Sequence, residues 1–488
     1  MTYAVGMKGL NTMRISRRDF LGGAAALWAT HGLPALAAAK TQLTVGVVSD
    51  IHVADTKGYD LPAFVRALRF FRERGVEAVV CAGDMADWGR YEQLELVRDA
   101  WRQVFPDDRG TDGRKVERFF IYGNHDVASW GGKAGPDGIY HDPGAAWKRC
   151  WGEDWAPVYM KRIGGYAFIG AHWGHETELP AFLAAHADEL HSSDPFFCVQ
   201  HPHPCNTCHG PDVWGHDAGK TTAALSRFPN AVALSGHSHW PLTDEQALWQ
   251  GSFTSVGLSS LSYTSLPKER RGPNGFENTN MVSLDGDKAM EGGKMMPLAP
   301  QNGQNGLVMT VCPGRIVFER WDFAEGRPER LGDDWVVTCP VGKEASASFA
   351  ARAAREVPPA FTAGAVLKVS RVRAKTRGYR GFNGMVIPDP VLPSEKEAFE
   401  FAVPQATANR TRAFELEVII EGSAGEIGRR YVLVEGHNRA QGNAQARRPT
   451  VVRLACDQFP ANKVRFRVIP VSALGNRGRP LVSDWIRG

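Results

Sequence analysis

Apolar runs of strand length alternate with segments of helical hydrophobic spacing between residues 43 and 235. Residues 43–49 and 78–82 are apolar runs rich in valine, as in buried strands, and residues 62–74 between them have helical spacing, with Pro62 placed for a first turn. This alternation predicts an α/β domain with a largely parallel sheet, because helices commonly connect parallel strands. The same patterns predict strands at 119–122, 166–171, 196–200 and 231–235, and helices at 92–104, 180–190 and 221–227.

The pattern changes after His239, where short strands follow one another. We therefore expect a catalytic domain over residues 40–334 and a small all-β sandwich over residues 335–488, where the helical spacing disappears. The predicted strands are 253–256, 259–263, 307–311 and 316–321 in the first region, and 365–372, 413–420, 430–435, 450–455 and 464–471 in the second.

Charge is distributed unevenly along the 488 residues, although the net charge is only +4. Residues 335–488 contain 24 Lys and Arg against 13 Asp and Glu, a net charge of +11, whereas residues 40–334 have a net charge of −10. Opposite charges in one chain favour docking of the two regions over recruitment of a polyanion such as lipid head groups. The low total charge argues against a nucleic acid partner, and no apolar run reaches the ~18 residues that a membrane span requires.

Residues 1–39 have the composition of an export signal. Arg17 and Arg18 precede Phe20 and Leu21, and an apolar stretch and small residues follow, ending at Ala39. The segment resembles a twin-arginine signal peptide, which implies export of the folded protein by the twin-arginine machinery to a periplasmic or secreted location. A surface amphipathic helix is the alternative interpretation. Met13 is an alternative start residue.

Five of the predicted strands end in polar residues that can bind metals, and the ends of strands are where open sheets bind ligands. Carboxylate, imidazole and amide oxygen suit divalent Mn, Fe, Co or Zn. Seven of the nine side chains named below are candidate ligands, which is too many for one tetrahedral zinc but suits two ions about 3.5–4 Å apart. The strand ends are Asp50 with His52, Asp84 with Asp87, Asn124 with His125, then His201, and His237 with His239.

These motifs resemble those of the calcineurin-like metallophosphoesterase superfamily: Asp-x-His, Gly-Asp-x-x-Asp, Gly-Asn-His-Asp, a lone His and Gly-His-x-His, over residues 43–322. The resemblance implies an αββα sandwich of two β-sheets flanked by helices, and two divalent or mixed-valence transition-metal ions. It also implies roles for individual residues: Asp50, His52 and His239 at the first metal, Asn124, His201 and His237 at the second, Asp84 bridging, His125 at the leaving group, and Asp87 orienting His125.

Departures from the superfamily patterns narrow the expected activity. Asp87 stands where purple acid phosphatases have Tyr, and Trp88 and Asp126 stand where protein Ser/Thr phosphatases have Arg and Glu. The segment is more similar to bacterial phosphodiesterases. We expect an exported hydrolase that cleaves small phosphoric monoesters or diesters, with diesters favoured, by attack of a metal-bridging hydroxide. The alternatives are an extracytoplasmic polyanion- or envelope-binding protein with a structural metal site, and a degenerate site that binds metal without turnover.

Three further patterns leave alternatives open. Cys205, Cys208 and His209 match the haem c attachment pattern, but export of an already folded chain argues against haem attachment. We favour a disulfide or a reduced cysteine pair that shapes the substrate loop. A third zinc site that also involves His203 or His216 is the alternative. Residues 465–476 resemble the last strands of a fibronectin type III module. Six aromatic residues cluster along the chain, and we favour their packing in the core over stacking on a base or sugar of the substrate. They are Trp130, Tyr140, Trp147, Trp151, Trp155 and Tyr159.

Overall fold

The computed structural model describes residues 43–487, with the exception of 54–60, 128–141, 211–214, 265–280, 284–294, 298–302, 325, 375–378, 381–385, 388–395, 409–410 and 460. The predicted signal segment, Trp130 and Tyr140 lie outside the described residues. No described helix is long and apolar enough to cross a membrane.

A first sheet contains the strands that carry the early motifs. Leu43–Val48 pairs in parallel with Ala78–Cys81, which pairs in parallel with Glu117–Phe120. On its other side Leu43–Val48 pairs antiparallel with Asn305–Cys312, so that the end of the catalytic region completes the sheet begun at residue 43. The strand order is Glu329–Arg330, Arg315–Asp322, Asn305–Cys312, Leu43–Val48, Ala78–Cys81 and Glu117–Phe120, with Trp335–Thr338 also paired to Arg315–Asp322.

A second sheet contains the strands that carry the later histidines. Its three central pairings, which join Tyr166–Ala171, Phe196–Val199, Ala231–Ser235 and Thr254–Gly257, are all parallel. Parallel pairing is therefore confirmed for most strands before His239, but these strands form two sheets instead of one. The order is Val158–Ile163, Tyr166–Ala171, Phe196–Val199, Ala231–Ser235, Thr254–Gly257 and Leu248–Gln250.

The two sheets pack face to face and helices cover their outer faces. Val45 and Phe119 of the first sheet share one buried cluster with Phe168 and Leu234 of the second. Burial of such side chains contributes about 1.5–3 kcal/mol each. This arrangement confirms the predicted αββα sandwich. The described α-helices are Leu61–Glu73, Tyr91–Val104, Asn124–Val127, Pro143–Trp151, Leu179–Ala185, Ala187–Leu190, Lys220–Leu225 and Phe349–Ala353.

Two predicted elements differ in the structure. The helix predicted at 180–190 is divided at His186, where φ is −108° and ψ is 11°. The strand predicted at 259–263 is wrong: the segment is irregular. Its backbone hydrogen-bonds to the loop after the first strand: Leu261 N donates to Ser49 O at 3.1 Å and Ser262 N donates to Asp50 O at 3.2 Å. These two N–H groups therefore cannot donate to a neighbouring strand of a β-sheet.

The C-terminal region is built from β-sheets, as its alternating pattern predicted. A three-stranded and a six-stranded sheet pack together, with Phe399 and Phe466 in contact across the interface at a ring separation of 5.2 Å. The first sheet contains Val369–Ala374, Lys396–Val403 and Thr450–Ala455, and the second contains Thr407–Ala408, Thr411–Gly422, Gly425–Leu433, Lys463–Ser472, Leu481–Val482 and Ile486–Arg487. Two-stranded sheets pair Met281–Ser283 with Met295–Pro297, and Tyr379–Arg380 with Val386–Ile387.

Oppositely charged residues join the C-terminal region to the catalytic region. Arg439 Nε donates to Asp322 Oδ2 at 2.8 Å, and both side chains are almost fully buried. Arg352 pairs with Glu245. These contacts agree with the docking inferred from the charge distribution. The boundary between residues 334 and 335 stays a prediction, and the strand that follows it, Trp335–Thr338, extends the first sheet.

Candidate metal centre

The ends of strands from both sheets meet at one edge of the sandwich. Asp50 and Asp84 follow neighbouring parallel strands of the first sheet, and His201 and His237 follow neighbouring parallel strands of the second. Because parallel strands end at the same edge, each sheet presents its polar residues together. Packing of the two sheets then brings the two sets within bonding distance: His201 Nε2 lies 3.0 Å from Asp84 Oδ2.

Backbone strain is concentrated at the predicted ligands. A left-handed φ is uncommon for residues other than glycine, and sparsely populated conformations cost on the order of 1–3 kcal/mol each. Such residues cluster at functional sites when the surrounding structure holds them in place. The predicted ligands with left-handed φ are Asp50 (54°), His52 (50°), Asp84 (52°), His237 (71°) and His239 (59°).

Two glycines of the motifs allow the loops to approach each other. A Cβ on Gly123 would lie 2.1 Å from Asp84 Oδ1, and a Cβ on Gly236 would lie 2.0 Å from Ser49 Oγ and 2.3 Å from Asp50 Oδ2. Any larger residue would collide with a buried carboxylate. These two glycines therefore permit the close packing of the strand ends.

Six of the seven predicted metal ligands form two adjoining groups. The first group is Asp50, His52, Asp84 and His239, and the second is Asp84, His201 and His237; within each group the ligand atoms lie within 4.8 Å of one another. Asp84 belongs to both groups, as expected of a bridging ligand. The seventh, Asn124, begins the helix Asn124–Val127 next to this cluster, where the following backbone N donates to Asp84 Oδ1 at 2.9 Å.

Hydrogen bonds orient three of the imidazoles in the same way. Nδ1 of His52 lies 2.9 Å from Asp87 Oδ1, Nδ1 of His201 lies 2.7 Å from Ala82 O, and Nδ1 of His239 lies 3.2 Å from the Tyr263 carbonyl oxygen. With the proton on Nδ1 donated to an oxygen, Nε2 keeps a lone pair. A fixed tautomer of this kind is typical of histidines that bind metals.

The donor set fits divalent metal ions. Nε2 of His239 lies 3.0 Å from Nε2 of His52 and 2.9 Å from Asp50 Oδ1. Within the described part of the chain, the buried atoms His201 Nε2 and Asn124 Oδ1 have no hydrogen-bond partner of acceptable geometry. Buried lone pairs without a donor are costly unless a cation satisfies them. Imidazole, carboxylate and amide oxygen are ligands of borderline divalent ions.

The electrostatics of the cluster also favour cations. Burial alone raises the pKa of Asp84, but the charge of His201 lowers it overall to about 2. Burial lowers the pKa of His52, but the nearby carboxylates of Asp50 and Asp87 raise it overall to about 10. Burial lowers the pKa of His201, but the charge of Asp84 raises it overall to about 9. The carboxylates therefore stay ionised and attract positive charge, and metal binding must displace protons from these histidines.

His125 lies beside the cluster, with its ring centroid 4.6 Å from that of His52. Nδ1 of His125 contacts the backbone oxygen of Asp87 at 2.9 Å and the Asp87 carboxylate at 3.4 Å. The same carboxylate is closer to His52, at 2.9 Å. Asp87 is therefore placed to orient a predicted metal ligand as well as His125. The individual catalytic and ligand roles stay predictions.

Sequence reasoning missed three residues at the centre. Asp126 accepts hydrogen bonds from Ala86 N at 2.7 Å and from Gly123 N at 2.8 Å, so it fixes two strand-end loops. The ring of Tyr263 lies 4.3 Å from that of His239. The ring of Trp173 lies 5.3 Å from that of His237. The fourth position of the Gly-Asn-His-Asp motif was a signal for Asp126, whereas the two aromatics belong to no motif.

Cys205 and Cys208 are free cysteines in the structure. The Cys208 thiol lies 3.2 Å from Ala247 O, and His203 is buried between Ser235 and Ser238, with its ring nitrogens 2.7 Å from each hydroxyl oxygen. Across the described residues, each group of potential metal ligands belongs to the strand-end cluster, and none includes these cysteines. The structure therefore supports a reduced pair within the loop.

The predicted aromatic cluster packs into the core where it is described. Trp147 and Trp151 are 4% and 8% exposed, and the ring of Tyr122 lies 5.1 Å from that of Trp147. His172 is also buried, and its Nδ1 accepts a hydrogen bond from Tyr122 N at 2.9 Å, which ties the second sheet to the first. These side chains stabilise the domain instead of presenting a stacking surface.

One family model matches part of the catalytic region. Residues 43–241 match the model of the calcineurin-like phosphoesterase family, which supports the superfamily resemblance of the motifs. The match supports a metal-dependent phosphoester hydrolase. A comparison with curated protein sequences finds no match.

Several solved structures are similar to the chain. A dimetal phosphatase from Danio rerio has 13% identity over 62% of this chain and 100% of its own, with a TM-score of 0.37. A purple acid phosphatase from yellow lupin (Lupinus luteus) seeds has 13% identity over 61% of this chain and 53% of its own, with a TM-score of 0.35. Vacuolar protein sorting 29 from Cryptosporidium parvum has 12% identity over 60% of this chain and 97% of its own, with a TM-score of 0.29.

Proposed function

We propose that the protein is an exported phosphoric ester hydrolase that uses two divalent metal ions and favours diesters. The observation that carries the catalytic part of this proposal is the pair of adjoining ligand groups that share Asp84. A single carboxylate common to two sets of imidazoles is the arrangement that a two-metal site requires.

The residues that would hold the metals follow from this arrangement. When bound, two such ions lower the pKa of water to about 7 and offset the negative charge that develops on the phosphoryl group. Trp173 borders the predicted ligands, with its ring 5.3 Å from that of His237 and 5.9 Å from that of His201, and can contact the substrate. One ion would be held by Asp50, His52 and His239, the other by Asn124, His201 and His237, with Asp84 shared between them.

His125 is placed to help the leaving group depart. Burial lowers the pKa of His125, but its hydrogen bond to Asp87 raises the pKa above the ordinary value overall. Nδ1 donates to Asp87 O, so the second proton of the imidazolium is on Nε2. Transfer of that proton to the departing oxygen forms the alcohol and leaves a neutral imidazole. Asp87 positions the ring.

The preference for diesters is supported by an exposed tryptophan in the segment that contacts His125. Trp88 is 43% exposed and follows Asp87 directly. A diester carries a second organic substituent that such a surface can cover, whereas a monoester presents a further charged oxygen instead. A basic side chain, such as the Arg that protein Ser/Thr phosphatases have at this position, would suit the more highly charged monoester better.

The test uses chelated enzyme reloaded with Mn²⁺ or Zn²⁺ and assayed on bis(4-nitrophenyl) phosphate and 4-nitrophenyl phosphate. We expect metal-dependent turnover of both esters, with a higher kcat/KM for the diester. Asp84→Asn is the inactive reference. Two bound metals per chain without turnover of either ester would refute the enzymatic proposal and favour an extracytoplasmic binding protein.

The proposal of export depends on residues 1–39 and on their resemblance to a twin-arginine signal. Export of a folded chain lets the metals bind in the cytoplasm, away from tight-binding competitors. Within the same proposal, the C-terminal sheets form a fibronectin type III-like module that docks on the catalytic domain. Arg439 and Asp322 support this docking because their ion pair is buried.

A further inference from the structure

A cavity of about 810 Å³ lies where the C-terminal sheets meet the catalytic region. It is bordered by Trp335 of the first sheet and by Ala413 and Phe414 of the C-terminal strand Thr411–Gly422. None of the predicted metal ligands lines it, so it is separate from the metal centre. Its lining is rich in arginine: Arg320, Arg330, Arg352, Arg355, Arg412 and Arg439.

Three carboxylates pair with four of these arginines. Glu245 pairs with Arg320 at 2.7 Å and also with Arg352. The remaining two pairs are Arg439 with Asp322 and Arg330 with Asp334. These four guanidinium groups therefore have structural partners, and a ligand is not needed to explain them.

Arg412 is different because the described structure gives it no carboxylate. Its Nη2 donates to Gly436 O at 2.6 Å. Its Nη1 is shielded from solvent and has no hydrogen-bond partner in the described part of the chain. Burial lowers the pKa of Arg412 to about 10, without an opposing contribution from an anion. The group is still charged at neutral pH, and a buried charge without a partner is unfavourable.

Arg355 adds a second cation at the solvent-exposed part of the lining. Its Nη2 donates to the backbone oxygen of Ser346 at 2.8 Å, and no ion pair of Arg355 occurs among the described residues. Two guanidinium groups that pair with no carboxylate of the described segments thus border one cavity. Guanidinium binds phosphate and carboxylate through paired N–H donors, and phosphate carries the larger charge.

We propose that this cavity is a binding site for a phosphate group, anchored by Arg412 and assisted by Arg355. The cavity is larger than inorganic phosphate, and its volume is within the range of about 300–1,000 Å³ typical of small-molecule sites. The ligand class is therefore a small phosphorylated molecule larger than inorganic phosphate.

Calorimetric titration of the chelated, full-length protein with inorganic phosphate tests the site without interference from bound metals. We expect one phosphate per chain in the wild type, and at least tenfold weaker binding in Arg412→Gln. Arg162→Gln is the matched control, because Arg162 is a surface arginine paired with Glu189 and should leave phosphate binding unchanged. Absence of binding by the wild type, or equal binding by Arg412→Gln, would overturn the proposal.

Two further measurements do not depend on the folding of Arg412→Gln. Phenylglyoxal labelling of the wild type, followed by peptide mass spectrometry, should show that phosphate protects the exposed Arg355 and leaves Arg162 reactive. Arg355→Gln should weaken phosphate binding severalfold. Labelling of Arg355 that phosphate does not slow would contradict the site, and acetate that binds as tightly as phosphate would overturn its assignment to phosphate.

Discussion

His125→Ala separates proton donation from metal binding. The backbone N–H of residue 125 that donates to Asp84 Oδ1 remains in the alanine variant. His52 also keeps its 2.9 Å contact with Asp87. We therefore expect the variant to retain both metals and its fold, while losing only the proton on Nε2 of the imidazole.

The size of the effect follows from the chemistry of the leaving group. General acid catalysis contributes about 10²–10⁴-fold, which corresponds to about 2.7–5.4 kcal/mol of transition-state stabilisation. An alkoxide leaving group needs that proton, whereas nitrophenolate departs without it. The variant should consequently slow alkyl esters by about 10²–10⁴-fold and nitrophenyl esters by less than about tenfold.

The assay measures kcat/KM across diesters whose leaving groups differ in pKa, for the wild type, His125→Ala and the control His186→Ala. His186 pairs with Glu189 on the surface, away from the strand ends. The dependence of rate on leaving-group pKa should become steeper only in His125→Ala. An equal loss for all leaving groups would refute proton donation, and loss of metal would show that His125 is a ligand.

Three other changes test separate parts of the molecule. Asp84→Asn should remove one metal and nearly all activity while the fold remains, because Asp84 joins both ligand groups; metal analysis showing two ions with normal turnover would contradict this. Replacing Arg17 and Arg18 with Lys should leave active, uncleaved protein in the cytoplasm, and normal export would argue against the twin-arginine assignment. Arg439→Ala leaves the buried Asp322 carboxylate without its arginine partner and should lower the free energy of unfolding by about 3 kcal/mol. A decrease of less than about 1 kcal/mol in a urea titration would mean that the ion pair contributes little to stability.

Local pattern was enough to locate most of the catalytic domain. Hydrophobic spacing depends on neighbours within a few residues, and it placed the strands Tyr166–Ala171 and Ala231–Ser235 at their observed bounds. The same local signal failed at residues 259–263. There the sequence resembles a strand, but hydrogen bonds to the loop after a distant strand determine the backbone.

The sequence by itself determined which residues could bind metal, since each motif follows an apolar run and carries its own chemistry. Tertiary structure decided how the motifs meet: two sheets pack together and place His52 Nε2 3.0 Å from His239 Nε2, across 187 positions of the chain. It also decided that Asp87 contacts two histidines and that, among the described residues, no carboxylate pairs with Arg412. Contacts of this kind depend on the packing of distant segments, and periodicity within a few residues carries no information about them.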